Sequence, residues 1–144
     1  MRFWDTSALV PLLVAESASE AVAQLNRTDS KIVVAWTTTI ECTSAFVRKH
    51  RERLISDVQI ASLLGRLDDA RRAWNVAEPS EDVRSSAERM VARHGLRAAD
   101  AIQLASAIET RFSETDTLDL VCLDRRLALA AVAEGLRVVP QAAR

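Results

Sequence analysis

The sequence predicts an α/β fold: a three-layer sandwich with a central parallel sheet of about five strands, flanked by helices on both faces. Short apolar or β-branched segments alternate along the 144 residues with longer segments of helical periodicity, an order typical of right-handed crossovers in a parallel sheet. The chain is 49% hydrophobic and 27% charged with only three Gly, which is ordinary for a helix-rich globular protein. Its length suits one domain, residues 1–144.

The first predicted strand is the apolar pair at positions 3–4, which leads directly into Asp5, Thr6 and Ser7. The pair is too short for a helix, and Asp and Thr side chains accept hydrogen bonds from the free N–H groups of a helix start. We therefore expect a helix to begin near Ser7, with Asp5 or Thr6 as its cap. A second helix is predicted over residues 17–26, after an apparent capping box formed by its first four residues.

The second predicted strand covers residues 32–36, a continuous β-branched and apolar run that suits a strand buried on both faces. A helix should follow the three threonines at 37–39. Its first turn contains Glu41, and its last turn contains the basic residues 48–51. Three residues at helical spacing are expected on its buried face: Ile40, Ser44 and Val47.

Two further helices are predicted between residues 54 and 95. The first has a capping box at 56–59 and extends toward residue 72, so it should form a helical hairpin with the helix before it. After a weak strand candidate at 74–77, Ser80 should cap the second helix, which Gly95 ends. The residues expected on their apolar faces are Ile60, Ala61, Leu63, Leu64 and Leu67, and then Val83, Ala87, Met90 and Val91.

The last third of the chain continues the alternation. An Ala-rich helix is predicted from residue 99 to about residue 111, where small side chains would allow close packing on the sheet. The remaining predicted elements are a polar loop at 113–117, a strand at 118–123, a helix at 125–134 stopped by Gly135, and a strand at 136–139. Asp124 thus follows a strand, as Asp5 does.

Charge and cysteine content argue against several classes of protein. The net charge of −1 and the pI of about 6.1 provide no overall basic field, so a nucleic acid would have to be held locally. Cys42 and Cys122 lack the spacing of a zinc site, a redox pair or a disulfide framework, which indicates a reducing compartment. The apolar run at 8–15 is too short to span a bilayer, and the N-terminus lacks the layout of a signal peptide. We therefore expect a cytoplasmic protein.

Four acidic residues share one expected place in this fold. Two follow strands, and two lie in the first turns of helices: Asp5 and Asp124, and Glu41 and Asp100. Both kinds of position face the crevice at the carboxyl edge of a parallel sheet. Clustered carboxylates repel one another, which raises their pKa values unless a cation neutralises them. Hard oxygen ligands favour Mg²⁺ or Mn²⁺, so the pattern indicates metal-assisted phosphodiester hydrolysis.

Each acid also has a purely structural interpretation. Asp5 and Asp124 could simply cap the helices that follow them. Glu41 could be the fourth residue of a capping box at 38–41, and Asp100 could merely complement a helix dipole. Together, these interpretations require four separate caps to fall on one edge of the sheet, which weakens them jointly.

Four parts of the chain carry a family resemblance. They are Phe-Trp-Asp-Thr-Ser-Ala-Leu at 3–9, Glu41 early in its helix, Leu-Arg-Ala-Ala-Asp-Ala-Ile-Gln-Leu-Ala at 96–105, and Val-Cys-Leu-Asp-Arg-Arg-Leu at 121–127. The third part is quite specific, and the order and spacing of all four span essentially the whole chain. Together they resemble a single PIN domain with a Rossmann-like sheet and, more narrowly, the VapC toxins of toxin–antitoxin pairs.

The resemblance implies a Mg²⁺- or Mn²⁺-dependent endoribonuclease that cleaves structured cellular RNA, often transfer or ribosomal RNA, and so inhibits translation. It also implies a homodimer and a cognate VapB-type antitoxin, through which any contact with DNA would be indirect. Carried over by position, the acidic site consists of Asp5, Glu41, Asp100 and Asp124. Asp5 and Asp100 would hold the metal directly, while the other two would complete its shell or polarise the attacking water.

Ser7, and secondarily Thr6, would orient water or the metal through a hydroxyl in such a site. Similar proteins often have Ser or Thr two residues before the last acid, where this chain has Cys122. Because the preceding loop looks long, Asp116 or Asp119 could be the fourth acid instead.

The remaining basic, histidine, cysteine and tryptophan side chains are expected to have structural roles. Six basic residues could contact phosphates but are expected on solvated faces or at helix C-termini: Arg48, Lys49, Arg51, Arg53, Arg93 and Arg97. His50 and His94 fall at helix ends, which disfavours a Ser/His or paired-His nuclease. Cys42 should be a buried thiol, and Trp36 and Trp74 should be core residues.

Two alternatives to a nuclease stay open. A Mg²⁺-dependent phosphatase or phosphoacceptor domain also has an Asp after its first strand. This chain, however, has no Asp-x-Asp pair there, and its only lysines are Lys31 and Lys49, far from the last strand. A non-catalytic PIN-fold module that binds a protein or RNA would be favoured by loss of an acid, yet none of the first three is missing.

Overall fold

The computed structural model describes residues 1–114 and 118–140. Over these residues the strands are β1 (Arg2–Trp4), β2 (Ile32–Ala35), β3 (Asn75–Ala77), β4 (Asp119–Val121) and β5 (Arg137–Val139). They form one parallel sheet in the order β3-β2-β1-β4-β5, so β1 lies in the centre between β2 and β4. The predicted parallel sheet of about five strands is confirmed.

Seven helices connect these strands within the described ranges. They are α1 (Thr6–Leu13), α2 (Ser19–Thr28), α3 (Thr38–Arg51), α4 (Asp57–Arg71), α5 (Glu81–His94), α6 (Ala98–Glu114) and α7 (Arg125–Ala133). Three connections contain two helices each, and α3 packs against α4 as the predicted hairpin requires. None of the helices in these ranges is long and apolar enough to cross a membrane.

The sheet separates two hydrophobic cores, because neighbouring side chains of a strand point to opposite faces. Phe3 packs in the core formed with α5, α6 and α7, whereas Trp4 packs in the core formed with α1, α2, α3 and α4. Both aromatic side chains are fully buried. The predicted three-layer sandwich is therefore confirmed, and β1 is enclosed by both layers and by two neighbouring strands.

Most helix ends follow the predicted signals. Asp5 caps α1 by accepting a hydrogen bond from the backbone N–H of Ser7 at 2.9 Å. The capping box at 56–59 forms both of its reciprocal hydrogen bonds at the start of α4. Ser80 caps α5, and Gly95 ends that helix with a φ of +63°, in the left-handed region that glycine favours.

The predicted capping box at 17–20 is wrong. α2 begins at Ser19, and the cap position is occupied by Ala18, which has no side-chain acceptor. The Ser19 hydroxyl instead accepts a hydrogen bond from the backbone N–H of Glu16 at 2.8 Å and donates one to the carbonyl of Pro11 at 2.6 Å. This serine therefore stabilises the turn between α1 and α2.

The predicted buried face of α3 is also wrong. Ile40 is 61% exposed, and Ser44 is exposed, whereas Cys42, Ala45 and Phe46 face the core. Apolar residues lie on more than one side of this helix, and the side that carries the large aromatic ring of Phe46 buries more apolar area.

The two tryptophans predicted as core residues differ from each other. Trp36 is 52% exposed, because β2 ends one residue before it and the chain turns there toward α3. Trp74 is partly buried against the core of α1–α4, as predicted. On α4 and α5, Leu64 and Val91 are more exposed than predicted, while the other core residues of α5 are buried.

Several predicted boundaries move by a few residues. Residues 113 and 114, predicted as loop, belong to α6, and residues 115–117 lie outside the described residues. β4 ends at Val121, so Cys122 and Leu123 belong to the connection with α7.

Leu104 tests the packing of α6 on the sheet. Its side chain is fully buried, so Leu104→Ala should lower the free energy of unfolding by about 2–5 kcal/mol. Leu129→Ala removes the same atoms from a residue on α7 that is 64% exposed, and should change this free energy by less than about 0.5 kcal/mol. Urea denaturation measures both values, and equal losses in the two variants would contradict this core.

Candidate active site

The four predicted acids line one cavity of about 430 Å³ at the carboxyl edge of the sheet. Asp5 follows β1 and Asp124 follows the end of β4, and these two strands are hydrogen-bonded neighbours. The other two acids come from the first turns of α3 and α6. The side chains that complete the lining are Thr6, Ser7, Val10, Glu16, Ser44, Ala45, Arg48 and Lys49. Three larger cavities, of about 680, 610 and 540 Å³, contain none of the four acids.

Asp5 is the most buried of these acids, with only 4% of its surface exposed. Its Oδ2 accepts the capping hydrogen bond from Ser7 and lies 3.8 Å from the Cys122 sulfur. Burial raises the pKa of Asp5, and hydrogen bonding by Ser7 partly offsets that rise. Repulsion from Asp100 and then from Asp124 raises the pKa further. No ion pair joins Asp5 to a described residue, so its charge has no cationic partner there.

Glu41 is held by two neutral donors. Its Oε2 accepts hydrogen bonds from the Thr37 hydroxyl at 2.9 Å and from the Gln103 side-chain amide at 2.7 Å. Burial raises the pKa of Glu41, the two hydrogen bonds lower it, and repulsion from Asp5 raises it again. A capping box at 38–41 is not formed, because α3 is capped at Thr37 without a side-chain hydrogen bond to its backbone.

The Asp100 carboxylate makes no hydrogen bond or ion pair with any described residue. It is half-buried in the first turn of α6. Burial and then repulsion from Asp124 raise the pKa of Asp100, whereas the positive charges of Arg97 and Arg126 lower it. Both oxygens of this carboxylate are therefore available to a ligand.

Asp124 has both of the roles that the sequence allowed. Its Oδ1 accepts a hydrogen bond from the backbone N–H of Leu127 at 2.8 Å, which caps α7, and the same side chain lines the cavity. The structural interpretation of Asp124 as a cap is thus confirmed, as it is for Asp5. Neither cap removes its residue from the cavity.

Ser7 connects the ends of the two central strands. Its hydroxyl oxygen accepts hydrogen bonds from the backbone N–H groups of Leu123 at 2.9 Å and Asp124 at 3.2 Å. These bonds fix the position of Asp124 relative to the start of α1. Ser7 lines the cavity, as predicted, and this structural role comes in addition.

Cys122 occupies the place where similar proteins often have a hydroxyl residue. Its sulfur lies 3.8 Å from the Ser7 oxygen and 3.4 Å from the carbonyl oxygen of Asp124. Burial raises the pKa of the thiol, and the charge of Asp5 raises it further, so the thiol stays protonated. Cys42 is a buried thiol, as predicted, and burial raises its pKa to about 12.

The alternative fourth acids do not lie at the cavity in the described structure. Asp119 is buried at the start of β4 and pairs with Arg137, at 2.6 Å from Nε and 2.5 Å from Nη2, and with Arg2 at 3.7 Å. The alternative that Asp119 is the fourth acid is therefore wrong. Asp116 lies outside the described residues.

Gln103 was not among the predicted site residues. It is fully buried, and its Nε2 lies 3.2 Å from the Thr6 hydroxyl and 3.0 Å from the Thr38 hydroxyl, in addition to its contact with Glu41. It thereby connects α1, α3 and α6. The available signal was a single uncharged polar residue within the Ala-rich segment 96–105.

Two of the basic residues also border the site. Arg48 and Lys49 lie in the last turn of α3, as predicted, and both line the cavity. Arg51 and Arg53 line a separate surface concavity together with His50, as expected of an exposed helix end.

The donor set of the cavity fits a hard divalent cation. Each carboxylate keeps at least one oxygen without a hydrogen bond to the described chain: Asp5 Oδ1, Glu41 Oε1, Asp124 Oδ2 and both oxygens of Asp100. No three His, Cys, Asp or Glu side chains within 1–114 and 118–140 are close enough to hold one ion jointly. An ion here would therefore be bound by one or two carboxylates and by water, an arrangement common for Mg²⁺.

Comparison with known proteins identifies relatives of the chain. The family model described as PIN domain matches residues 2–134. A curated protein, Ribonuclease VapC45 of Mycobacterium tuberculosis, is 28% identical over 138 residues, which cover 96% of this chain and 94% of that protein.

Two solved structures share the fold. A toxin–antitoxin complex from Klebsiella pneumoniae has a TM-score of 0.66 at 18% identity, covering 89% of this chain and 90% of that chain. Mycobacterium tuberculosis VapC20, described as a sarcin-ricin loop cleaving toxin, has a TM-score of 0.65 at 15% identity, covering 90% of this chain and 95% of that chain. At these identities the likeness shows the fold alone.

Asp5→Asn tests the cost of burying this carboxylate. Burial holds the pKa of Asp5 in the folded protein above its ordinary value of 3.8. Ionisation of Asp5 therefore lowers the free energy of unfolding, and this loss develops as the pH rises from 3.8 through the higher folded pKa. Asn keeps the helix cap without the charge. In EDTA the variant should therefore be more stable than the wild type near neutral pH, and this gain should disappear below 3.8.

Thermal unfolding over a pH series measures the difference. Asp69→Asn is the matched control, because Asp69 is exposed on α4 and away from the cavity, and it should show little pH-dependent change. An Asp5→Asn protein that is less stable than the wild type near neutral pH would contradict the prediction.

Proposed function

The chain belongs to the PIN-domain family, and from that premise we propose that it is a metal-dependent endoribonuclease, the toxin of a VapBC-type toxin–antitoxin pair. The observation that carries the proposal is that four carboxylates line one cavity, and each has an oxygen without a hydrogen bond to the described chain. The resemblance noted in the sequence agrees with the family match over residues 2–134. A relative matched over 94% of its length is named a ribonuclease.

Asp5 and Asp100 would hold Mg²⁺ or Mn²⁺ directly, with Glu41 and Asp124 completing the surroundings of the ion. Asp5 suits this role because Ser7 fixes its Oδ2, while its Oδ1 makes no hydrogen bond to the described chain. When bound, the ion supplies positive charge that stabilises the negative charge developing on a phosphate, and it makes a nearby water more acidic.

Glu41 is placed to accept the proton of the attacking water. Its Oε2 is occupied by Thr37 and Gln103, which leaves Oε1 to receive the proton. Gln103 is itself fixed by Thr6 and Thr38, so it positions the Glu41 carboxylate without touching the substrate. Ser7 keeps the Asp124 segment beside Asp5 and completes the same wall of the cavity.

Structured cellular RNA, such as transfer or ribosomal RNA, is the proposed substrate, and its cleavage would inhibit translation. A structural neighbour described as cleaving the sarcin-ricin loop supports this class of substrate. Another neighbour is a toxin–antitoxin complex, which supports a VapB-type antitoxin as partner. We extend the proposal to a homodimer that contacts DNA only through the antitoxin.

The two alternative functions find less support. A phosphatase or phosphoacceptor site would need a second Asp two residues after Asp5, where this chain has Ser7. A non-catalytic module would not need four acids with unused oxygens, and burial and repulsion raise the pKa values of three of them, Asp5, Glu41 and Asp100, which costs stability.

The nuclease proposal predicts RNA cleavage that requires a divalent cation. Purified protein should cut mixed RNA in the presence of Mg²⁺ or Mn²⁺, and excess EDTA should stop the reaction. Asp100→Asn should slow cleavage by more than about a hundredfold, because even the outer partners of a metal ligand often account for ten- to a hundredfold. Asp69→Asn should cleave normally, and circular dichroism should show both variants folded.

Two outcomes would decide against this mechanism. Cleavage that persists in EDTA would reject the requirement for a metal. Full activity of Asp100→Asn would reject the assigned site, even if the wild type depends on a cation.

The toxin proposal predicts arrest of growth in a bacterial host. Induced expression of the wild type should stop translation, whereas Asp100→Asn at equal protein level should not. Co-expression of a small protein encoded immediately upstream should restore growth, and that protein should purify together with the chain. Unimpaired growth of cells that contain the active nuclease would reject the toxin role and leave the enzymatic assignment standing.

A further inference from the structure

Arg48 is a cation at the cavity with no partner among the described residues. Its side chain is exposed, lines the cavity, and makes no ion pair or hydrogen bond with a described residue. Lys49 also lines the cavity, but its Nζ pairs with Glu16 Oε1 at 2.5 Å. Of the two cations on this wall, only Arg48 therefore has its charge available to a ligand.

The position of Arg48 follows from the geometry of α3. Glu41, Ala45 and Arg48 recur along one face of this helix, and all three line the cavity. Seven residues correspond to a rise of about 10 Å, so Arg48 lies about two helical turns from Glu41 along the wall of the cavity.

Arg48 is not a structural counterion of the acids. No carboxylate of the described residues lies within ion-pair distance of it. It is also not among the main influences on the pKa of Asp5, Glu41 or Asp100, while Arg97 and Arg126 are among those on Asp100. Neutralisation of the four acids therefore does not explain the free charge of Arg48.

We propose that Arg48 binds a backbone phosphate of the RNA, one adjacent to the linkage that is cleaved. This inference rests on the proposed ribonuclease function. A guanidinium is planar and donates two parallel hydrogen bonds to phosphate oxygens, whereas a lysine ammonium acts as a point charge. Its separation of about two helical turns from Glu41 assigns Arg48 to substrate binding rather than to the reacting phosphate.

The negative charge of the cavity is a second reason for a cation at the position of Arg48. Five carboxylates line the cavity among the described residues: Asp5, Glu16, Glu41, Asp100 and Asp124. A polyanion that approaches them is repelled, and a free cation on the cavity wall offsets part of that repulsion.

Kinetics on an RNA that the wild type cleaves test the proposal. Arg48→Ala should raise KM about tenfold, the usual effect of losing a charged hydrogen bond, with kcat nearly unchanged. Arg48→Lys keeps the charge and should recover part of the loss. Arg51→Ala is the matched control, because Arg51 is exposed on the same helix but does not line the cavity, and it should behave like the wild type.

Binding provides a readout that is independent of catalysis. In an Asp100→Asn background, fluorescence anisotropy with a labelled oligoribonucleotide is measured at several salt concentrations. Loss of one phosphate contact should reduce the slope of log Kd against log salt by about 0.7 for Arg48→Ala and leave it unchanged for Arg51→Ala.

Three results would overturn the inference. Equal slopes of log Kd against log salt for Arg48→Ala and Arg51→Ala would show that Arg48 makes no phosphate contact of its own. A fall in kcat without a change in KM would show that Arg48 acts on the reacting phosphate and not on an adjacent one. Absence of RNA cleavage by the wild type would overturn the proposed function first, and this inference with it.

Discussion

The structure depends on placing four carboxylates at the N-termini of four helices. Asp5 and Asp124 are the N-caps of α1 and α7, and the other two acids lie in the first turns of α3 and α6. A helix N-terminus carries partial positive charge, which favours an anion there. In a parallel sheet the helices that follow strands all begin at the carboxyl edge. The same topology therefore gathers the acids and compensates part of their charge, but the raised pKa values of Asp5, Glu41 and Asp100 show that the compensation is incomplete.

Capping and ligand binding use different oxygens of the same side chains. Asp5 engages Oδ2 and Asp124 engages Oδ1 in their caps, so one oxygen of each makes no hydrogen bond to the described chain. Glu41 shows the same division, because both of its donors bind Oε2. The structural and the functional interpretations of these acids are therefore not alternatives. The hydrogen bonds that fold the chain therefore leave one oxygen of each of these side chains unused in residues that line one cavity.

The sequence predicts the sheet and the location of the four acids at one of its edges well, because both follow from local signals. Strand and helix periods alternate clearly, and an acid directly after a strand must lie at the carboxyl edge. Features that depend on distant packing were not predictable in this way. Gln103 reaches Glu41 across 62 residues, and helical period alone did not show that α3 buries Phe46 and exposes Ile40. At residues 17–20 a capping motif was present, but α2 begins at Ser19, whose hydroxyl bonds to the turn after α1 instead.

The electrostatics of the cavity connect ion binding with substrate binding under the proposed function. The whole chain has a net charge of −1, so no long-range field attracts RNA, and the lining has more carboxylates than cations. Because Glu16 already neutralises Lys49, the attraction for a phosphate near the acids would come from the proposed ion and from Arg48. An ion that lowers the repulsion toward phosphate is, by the reciprocity of linked equilibria, itself bound more tightly when the phosphate is present. A site built from such acids therefore favours the loaded state when its substrate is in place.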